Sequence, residues 1–402
     1  MGSNFLHGVE VLEIDSGPRP IRTVRSSVIG VVGTAPDADP EAFPLNKPVL
    51  IAGSRAEAAK LDTEGNGEGT LPAALDGIFD QAGAVVVVVR VEEDQDETNT
   101  IANVIGGVNS TTGQYEGVQA LLGAESVLGF APRILCAPGF THQRPEDPEN
   151  PGEFLANPVV AELTGIAERL RAVIIADGPN TTDAEAIAYA DDFGSDRVYV
   201  VDPWVQVFRD GAAVSEAASA RVAGLIAKSD QDRGFWWSPS NQNISGIIGT
   251  SRPVDFKLGD SNSRANLLNE QNVTTIIRQD GYRLWGNRTL SSDPKFAFLS
   301  VRRTADMIND SLQRAHLWAV DRNITKTYIQ DVEEGVNAYL RTLQSLGAIL
   351  GGKCWADPDL NTPANIADGK VYFNFDFTPP YPAEHITFRS ILTNDYIEEV
   401  IS

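Results

Sequence analysis

Carboxylates are the residues of this chain best placed to run acid–base chemistry. Asp177-Gly178-Pro179 and Asp202-Pro203 each follow a short apolar run, where α/β enzymes often keep functional acids, and Asp191 and Asp192 stand side by side. Turn chemistry accounts for the first two, because Asp, Gly and Pro all favour turns. Adjacent residues of a helix point apart, so Asp191 and Asp192 do not converge on one proton. Phosphate chemistry would need a glycine-rich turn between strand and helix. Gly30, Gly33 and Gly106-Gly107 have neither the spacing nor the context of a dinucleotide or Walker loop, and there is no Gly-x-Ser-x-Gly elbow. The four histidines (His7, His142, His316, His385) are scattered, and Cys136 and Cys354 lack metal-ligand spacing. The two thiols read as free and buried rather than as a disulfide. The sequence therefore assigns no catalytic residue, no metal ligand and no cofactor.

Arginine offers a different chemistry: recognition. The run Leu268-Asn269-Glu270-Gln271-Asn272-Val273-Thr274-Thr275-Ile276-Ile277-Arg278 continues through Gly281-Tyr282-Arg283-Leu284-Trp285-Gly286-Asn287-Arg288-Thr289. It combines β-branched residues, one large aromatic and arginines that can fork onto carboxylates or carbonyls, which is the make-up of a fixed packing surface. Charge is unevenly distributed around it. The whole chain carries −23, with 7 Lys and Arg against 22 Asp and Glu between Thr34 and Leu170, but 9 Lys and Arg against 5 Asp between Arg278 and Lys326. The acidic balance argues against non-specific nucleic-acid binding. The local basic excess marks a place where an anionic partner could dock.

The elements that must position these residues follow from periodicity. A length of 402 residues predicts two or more domains. Short apolar runs at 26–33, 48–51, 84–91, 134–137, 173–176 and 198–201 read as buried strands. Helical patterns intervene at 55–61, 71–82, 115–122, 158–170 and 182–193, with a further helix at 215–228. This alternation predicts an α/β layer with a largely parallel sheet. Glu92–Thr100 and Gly139–Gly152 read as solvated loops, and 234–244 as a junction. Beyond it, helices are predicted at 302–320 and 329–346, ended by Gly351-Gly352, with alternating strands at 371–377 and 385–391. No stretch is long enough for a membrane span, and the N-terminus lacks the features of a secretory signal.

The two ends are alike. Phe5, Val9 and Val11 lie on an alternating strand cut off by Ser16-Gly17-Pro18-Arg19-Pro20, and Ile386, Phe388 and Ile391 lie on one that follows Pro379-Pro380-Tyr381-Pro382. Lone strands leave unpaired backbone groups. Each must pair with a sheet, in its own subunit or, most economically, in another.

The chain resembles the contractile tail sheath proteins of phages and R-type bacteriocins. The likeness is carried by the 268–289 run with Trp285, Asn287 and Arg288 at its centre, and by Ser238-Pro239-Ser240-Asn241 with Gly246. Val301-Arg302-Arg303, Asn361-Thr362, Asp368-Gly369-Lys370-Val371 and Pro380-Tyr381-Pro382-Ala383-Glu384 add to it, as do Phe5-Leu6-His7-Gly8-Val9 and Ser27-Val28-Ile29-Gly30. The likeness is dense over residues 235–390 and the first 35, and weak in the α/β region. It implies an α/β, multi-domain sheath fold: a core domain built from both chain ends plus an outer α/β insertion domain. The expected units are an N-terminal arm (1–25), an outer domain (26–235), a core domain (236–382) and a C-terminal arm (383–402), both arms being donated to neighbours. It implies a non-enzymatic subunit that stacks as sixfold rings around an inner tail tube and contracts to drive the tube through an envelope. The implied partners are further copies of itself, the tube protein, and baseplate and tail terminator proteins, without direct nucleic-acid contact or membrane insertion. The implied location is the virion tail, assembled in the bacterial cytoplasm. Arg302, Arg303 and Arg314, on one helix, are expected either to face acidic groups of the tube or to pair within their own domain. A headless injection particle, of bacteriocin or type VI kind, and an α/β nucleotide-dependent enzyme are the competing readings.

Overall fold

The computed structural model describes residues 21–209 and 211–394. Its centre is a six-stranded sheet built from β1 (Ile29–Thr34), β2 (Pro48–Ala52), β3 (Val85–Val91), β4 (Ile134–Cys136), β5 (Val173–Asp177) and β6 (Val198–Val201). The spatial order is β2-β3-β1-β4-β5-β6, with every neighbouring pair parallel except β2 with β3. Strands buried on both faces need apolar residues throughout, which is why β1, β4, β5 and β6 are buried at every position. The faces carry two separate apolar cores. One is packed by the Leu71–Phe79 and Ser219–Arg233 helices, the other by the Pro158–Leu170 helix. The last of these occupies its predicted span, because Asn157 accepts from the amides of Val159 and Val160 and Pro158 takes the first turn.

Four local readings need correction. The acidic run is not all loop: Asp96 caps a helix over Glu97–Ile105. The predicted 115–122 helix is a short strand, Tyr115–Glu116, followed by a 3-10 helix over Gly117–Gly123. The predicted 215–228 helix starts later, at Ser219, because Gly211 (φ +83°) turns Val205–Arg209 back on Ala212–Glu216 as a hairpin. Residues 385–391 form no ladder; among the described residues the chain from Tyr381 onward has no strand.

A third, smaller core lies under the Leu299–Ala315 and Lys326–Ser345 helices. It contains Phe235, Met307, Ile308, Val336, Tyr339, Leu340, Leu343 and Cys354, with Phe373, Phe375 and Phe377 of a hairpin (Gly351–Ala356 with Phe373–Thr378) packed against it. Gly352 belongs to this hairpin rather than to a helix stop; a Cβ there would meet the Asp376 carbonyl at 2.7 Å. Ile21 and Val24 pack on the same core, and the Val24 amide donates to Ser311 Oγ at 3.0 Å. The first described residues and the Phe373–Thr378 strand thus share this one small core. By packing, Ile244, Leu268, Val273, Ile276, Leu284 and Leu290 belong to the α/β cores. These residues of the expected 236–382 unit pack on the α/β cores, while Phe235 packs on the third core.

Candidate functional site

The crevice where an α/β protein would hold a nucleotide is filled. In this strand order the switch point lies between β1 and β4, at the carboxyl ends of the strands. Thr70 and Leu71 sit there: Thr34 donates its amide to Thr70 Oγ1 at 3.1 Å, and a Cβ on Gly33 would lie 2.2 Å from that oxygen. The acids that follow the strands are used inside the fold. Asp177 accepts from the Ser219 amide (2.7 Å), from Ser219 Oγ (2.5 Å) and from Thr141 Oγ1 (3.3 Å), capping the Ser219–Arg233 helix from outside it. Burial pushes the Asp177 carboxyl up to about 6, against the lowering effect of those donors. Asp202 accepts from the Asn180 amide (2.7 Å) and pairs with Arg252; burial also raises its pKa. Asp192 is clamped by Arg144 at 2.6 and 2.7 Å. Cys136 and Cys354 are free and buried. Desolvation raises both thiols, Cys354 to about 11, away from nucleophilic character.

The 268–289 run folds into the packing element its composition predicts. Thr275–Arg278 and Tyr282–Trp285 form a hairpin, and Ser240-Asn241 with Gln242 runs beside it. Asn241 donates its amide to the Leu284 carbonyl (2.7 Å), Leu284 donates to that of Gln242 (3.0 Å), and the Gly286 amide donates to Ser240 Oγ (3.1 Å). The Trp285 ring packs edge-on to Phe256 at 4.8 Å, while the Trp285 carbonyl accepts from Asn269 Nδ2 at 3.0 Å. Gly286 must be glycine: its φ is +144° and a Cβ would lie 2.8 Å from the Thr274 Cα. This backbone is stitched to the edge of the main sheet. Thr274 donates to the Val200 carbonyl and Leu290 to that of Val198, both at 3.0 Å. Asn287 accepts from the Leu299 amide at 3.0 Å and so starts the Leu299–Ala315 helix.

The arginines of that helix are placed differently from the tube-facing expectation. Arg303 is 3% exposed and forks onto Asp230 at 2.7 and 2.6 Å, with a further bond to the Ser26 carbonyl. Arg302 bonds Asp196 (2.9 Å) and Asp306 (3.0 Å). Arg314 pairs with Asp310 (3.0 Å) and Glu125 and stays about 40% exposed. The helix also receives arginines from the sheet: Arg197 forks onto Asp306 (2.8 and 3.1 Å), and Arg133 pairs with Asp310. Ser26, Arg133 and Arg197 precede β1, β4 and β6, so the helix is bolted across the amino ends of the strands. Arg302 and Arg303 are committed within the subunit; of the three, Arg314 alone keeps substantial solvent exposure.

The described residues of the expected C-terminal arm are exposed. Ile386, Phe388, Ile391 and Leu392 are 66%, 93%, 82% and 97% exposed. Phe5, Val9 and Val11 lie outside the described residues. Arg288, in the centre of the signature run, reaches the root of this arm: its Nε and Nη2 donate to the two carboxylate oxygens of Glu384 at 2.8 and 2.6 Å. Two stretches prominent in the sequence, one around Trp285 and one around Tyr381, thereby meet, a contact that spacing alone could not reveal.

Comparison with known proteins places these elements in a family. Three family models match along the chain: the Tail sheath protein Gp18 domain III N-terminal region at residues 26–91, the phage tail sheath protein central domain at 113–290, and the phage tail sheath C-terminal domain at 291–393. A prophage major tail sheath protein of Pseudomonas aeruginosa is 46% identical over 99% of both chains. The tail sheath protein of Escherichia phage P2 is 40% identical, over 100% of this chain and 98% of its own. Among solved structures, the contracted helical sheath of the anti-feeding prophage matches with a TM-score of 0.70 at 21% identity, over 97% of this chain and 99% of its own. That likeness shows a common fold. The chain belongs to the phage tail sheath proteins and is a structural subunit of a contractile sheath.

Proposed function

We propose that the chain acts by polymerising with copies of itself, as stacked sixfold rings around an inner tail tube, and that residues 1–25 and 383–402 are arms donated to neighbouring copies. One observation carries this reading. The arm beyond Glu384 presents Ile386, Phe388, Ile391 and Leu392 to solvent in a stretch that forms no ladder among the described residues, close in sequence to a two-stranded sheet whose two outer edges no other described strand pairs. Burying each such side chain stabilises by about 1.5–3 kcal/mol, and strand addition to a neighbour's Gly351–Ala356 and Phe373–Thr378 hairpin would satisfy the backbone as well.

The role is structural rather than catalytic, since the acids that follow the strands serve caps and ion pairs. Assembly takes place in the bacterial cytoplasm, and the finished sheath is a component of a phage or prophage particle that also contacts its baseplate, tube and terminator proteins. With Arg302 and Arg303 committed inside the subunit, tube contact falls to more exposed groups such as Arg314, whose half-solvated pairs are weak enough to release. Electron microscopy of the purified chain tests the reading. The native chain should form striated hollow cylinders, and Phe388→Asp should leave folded, unassembled subunits; ordered cylinders from that variant would refute arm donation.

A further inference from the structure

We propose that the Arg288–Glu384 ion pair is a preorganising clip that aims the C-terminal arm at the copy that receives it; this rests on the arm being donated. Arg288 belongs to the rigid body. Its neighbour Thr289 is fully buried and donates its amide to the Ala297 carbonyl at 2.8 Å, and Leu290 is bonded to β6. Glu384 belongs to the arm, two residues beyond Pro382. Between them the Tyr381 ring packs against Phe298 at 6.1 Å, and the Arg288 guanidinium lies over that same Phe298 ring at 4.9 Å. The fork onto both oxygens of Glu384 fixes an orientation as well as a distance.

Among the described residues between Pro379 and Leu392, Glu384 makes the only hydrogen bonds to the rest of the subunit; the other bond in this stretch, between His385 and Thr387, is internal to the arm. Its place is therefore decisive. Immediately beyond it come the exposed apolar side chains. An arm that swings freely must lose its orientational freedom on capture, which weakens association. An arm held at its root by a fork and three proline-fixed residues (Pro379, Pro380, Pro382) has lost part of that freedom beforehand. The side chains of Arg288 and Glu384 are 37% and 41% exposed, so the clip is screened by salt and can release when the bodies rotate.

The test uses the full chain carrying Arg288→Glu, Glu384→Arg, both together, or Phe388→Asp with Ile391→Asp. Two quantities are read: the critical concentration for cylinder formation, by sedimentation, and the melting temperature of unassembled subunits. Each single reversal should raise the critical concentration roughly fivefold with the melting temperature unchanged, and the double reversal should restore most of the loss. The clip is refuted if single reversals assemble at the native concentration, if the double reversal does no better than the singles, or if melting falls in step with assembly. In those cases arm donation still stands provided the Phe388→Asp, Ile391→Asp chain fails to assemble. If that chain forms cylinders like the native one, the donation reading itself is wrong.

Discussion

Arginine–carboxylate forks join both the body and the arm, yet they do opposite work. At the seam between the sheet and the Leu299–Ala315 helix, Arg303 and Asp230 have side chains 3% and 2% exposed; at the arm root, Arg288 and Glu384 are 37% and 41% exposed. A desolvated pair cannot part without stranding a charge, so the seam is a weld. A solvated pair parts readily, which is what the proposed arm root requires. The geometry of the forks is alike, with distances of 2.6–2.8 Å. Burial separates a joint that must persist from one that can let go. A subunit held this way should move as one body, with the change of angle left to its ends.

The comparison can be broken at the weld first. Arg303→Ala leaves Asp230 buried and unpaired, and should destabilise the isolated subunit by about 3–5 kcal/mol in denaturant titrations; a loss below ~1 kcal/mol would mean that the seam is not held by this pair. Gly286→Ala comes next. It forces a side chain into a left-handed backbone pressed on Thr274, with an expected cost of about 1–3 kcal/mol in the same assay and a loosened Arg288.

Asp177 sharpens the picture inside the sheet. Its carboxyl is raised to about 6 by burial, so the favourable contribution of its protonated form is complete below the ordinary Asp range near pH 4 and is lost as the pH rises through 6. The stability advantage of the native chain over Asp177→Asn should therefore shrink between pH 4 and 6 and level off above 7; an advantage that grows over that interval would contradict the assignment. The smallest effect belongs to the arm. Phe388→Asp should change subunit stability by no more than ~0.5 kcal/mol, because the side chain is 93% exposed.

The same contrast explains what could be read from the chain. Strands such as Ile134–Cys136 and Val173–Asp177 were legible because continuous apolar runs are all that a doubly covered parallel sheet requires. The exposed stretch after Pro382 was marked in the sequence by the prolines that precede it, but its lack of a ladder within the subunit was not. The arginines of the Leu299–Ala315 helix were not legible. Their polarity is that of a solvated face, while Asp230, which holds Arg303, and Arg197 and Arg133, which reach Asp306 and Asp310 on the same helix, stand 73 to 177 residues away in sequence. The hairpin at 205–216 was hidden because the Ala-rich stretch after Gly211 matches a helix as well as a strand. Only the packed sheet shows which period wins.

Backbone hydrogen exchange over residues 385–392, compared between unassembled subunits and cylinders, addresses the donated arm most directly. Amides that exchange at nearly unprotected rates in the free subunit and are strongly protected in the cylinder are the predicted result. Protection already present in the free subunit, or none in the cylinder, would contradict it.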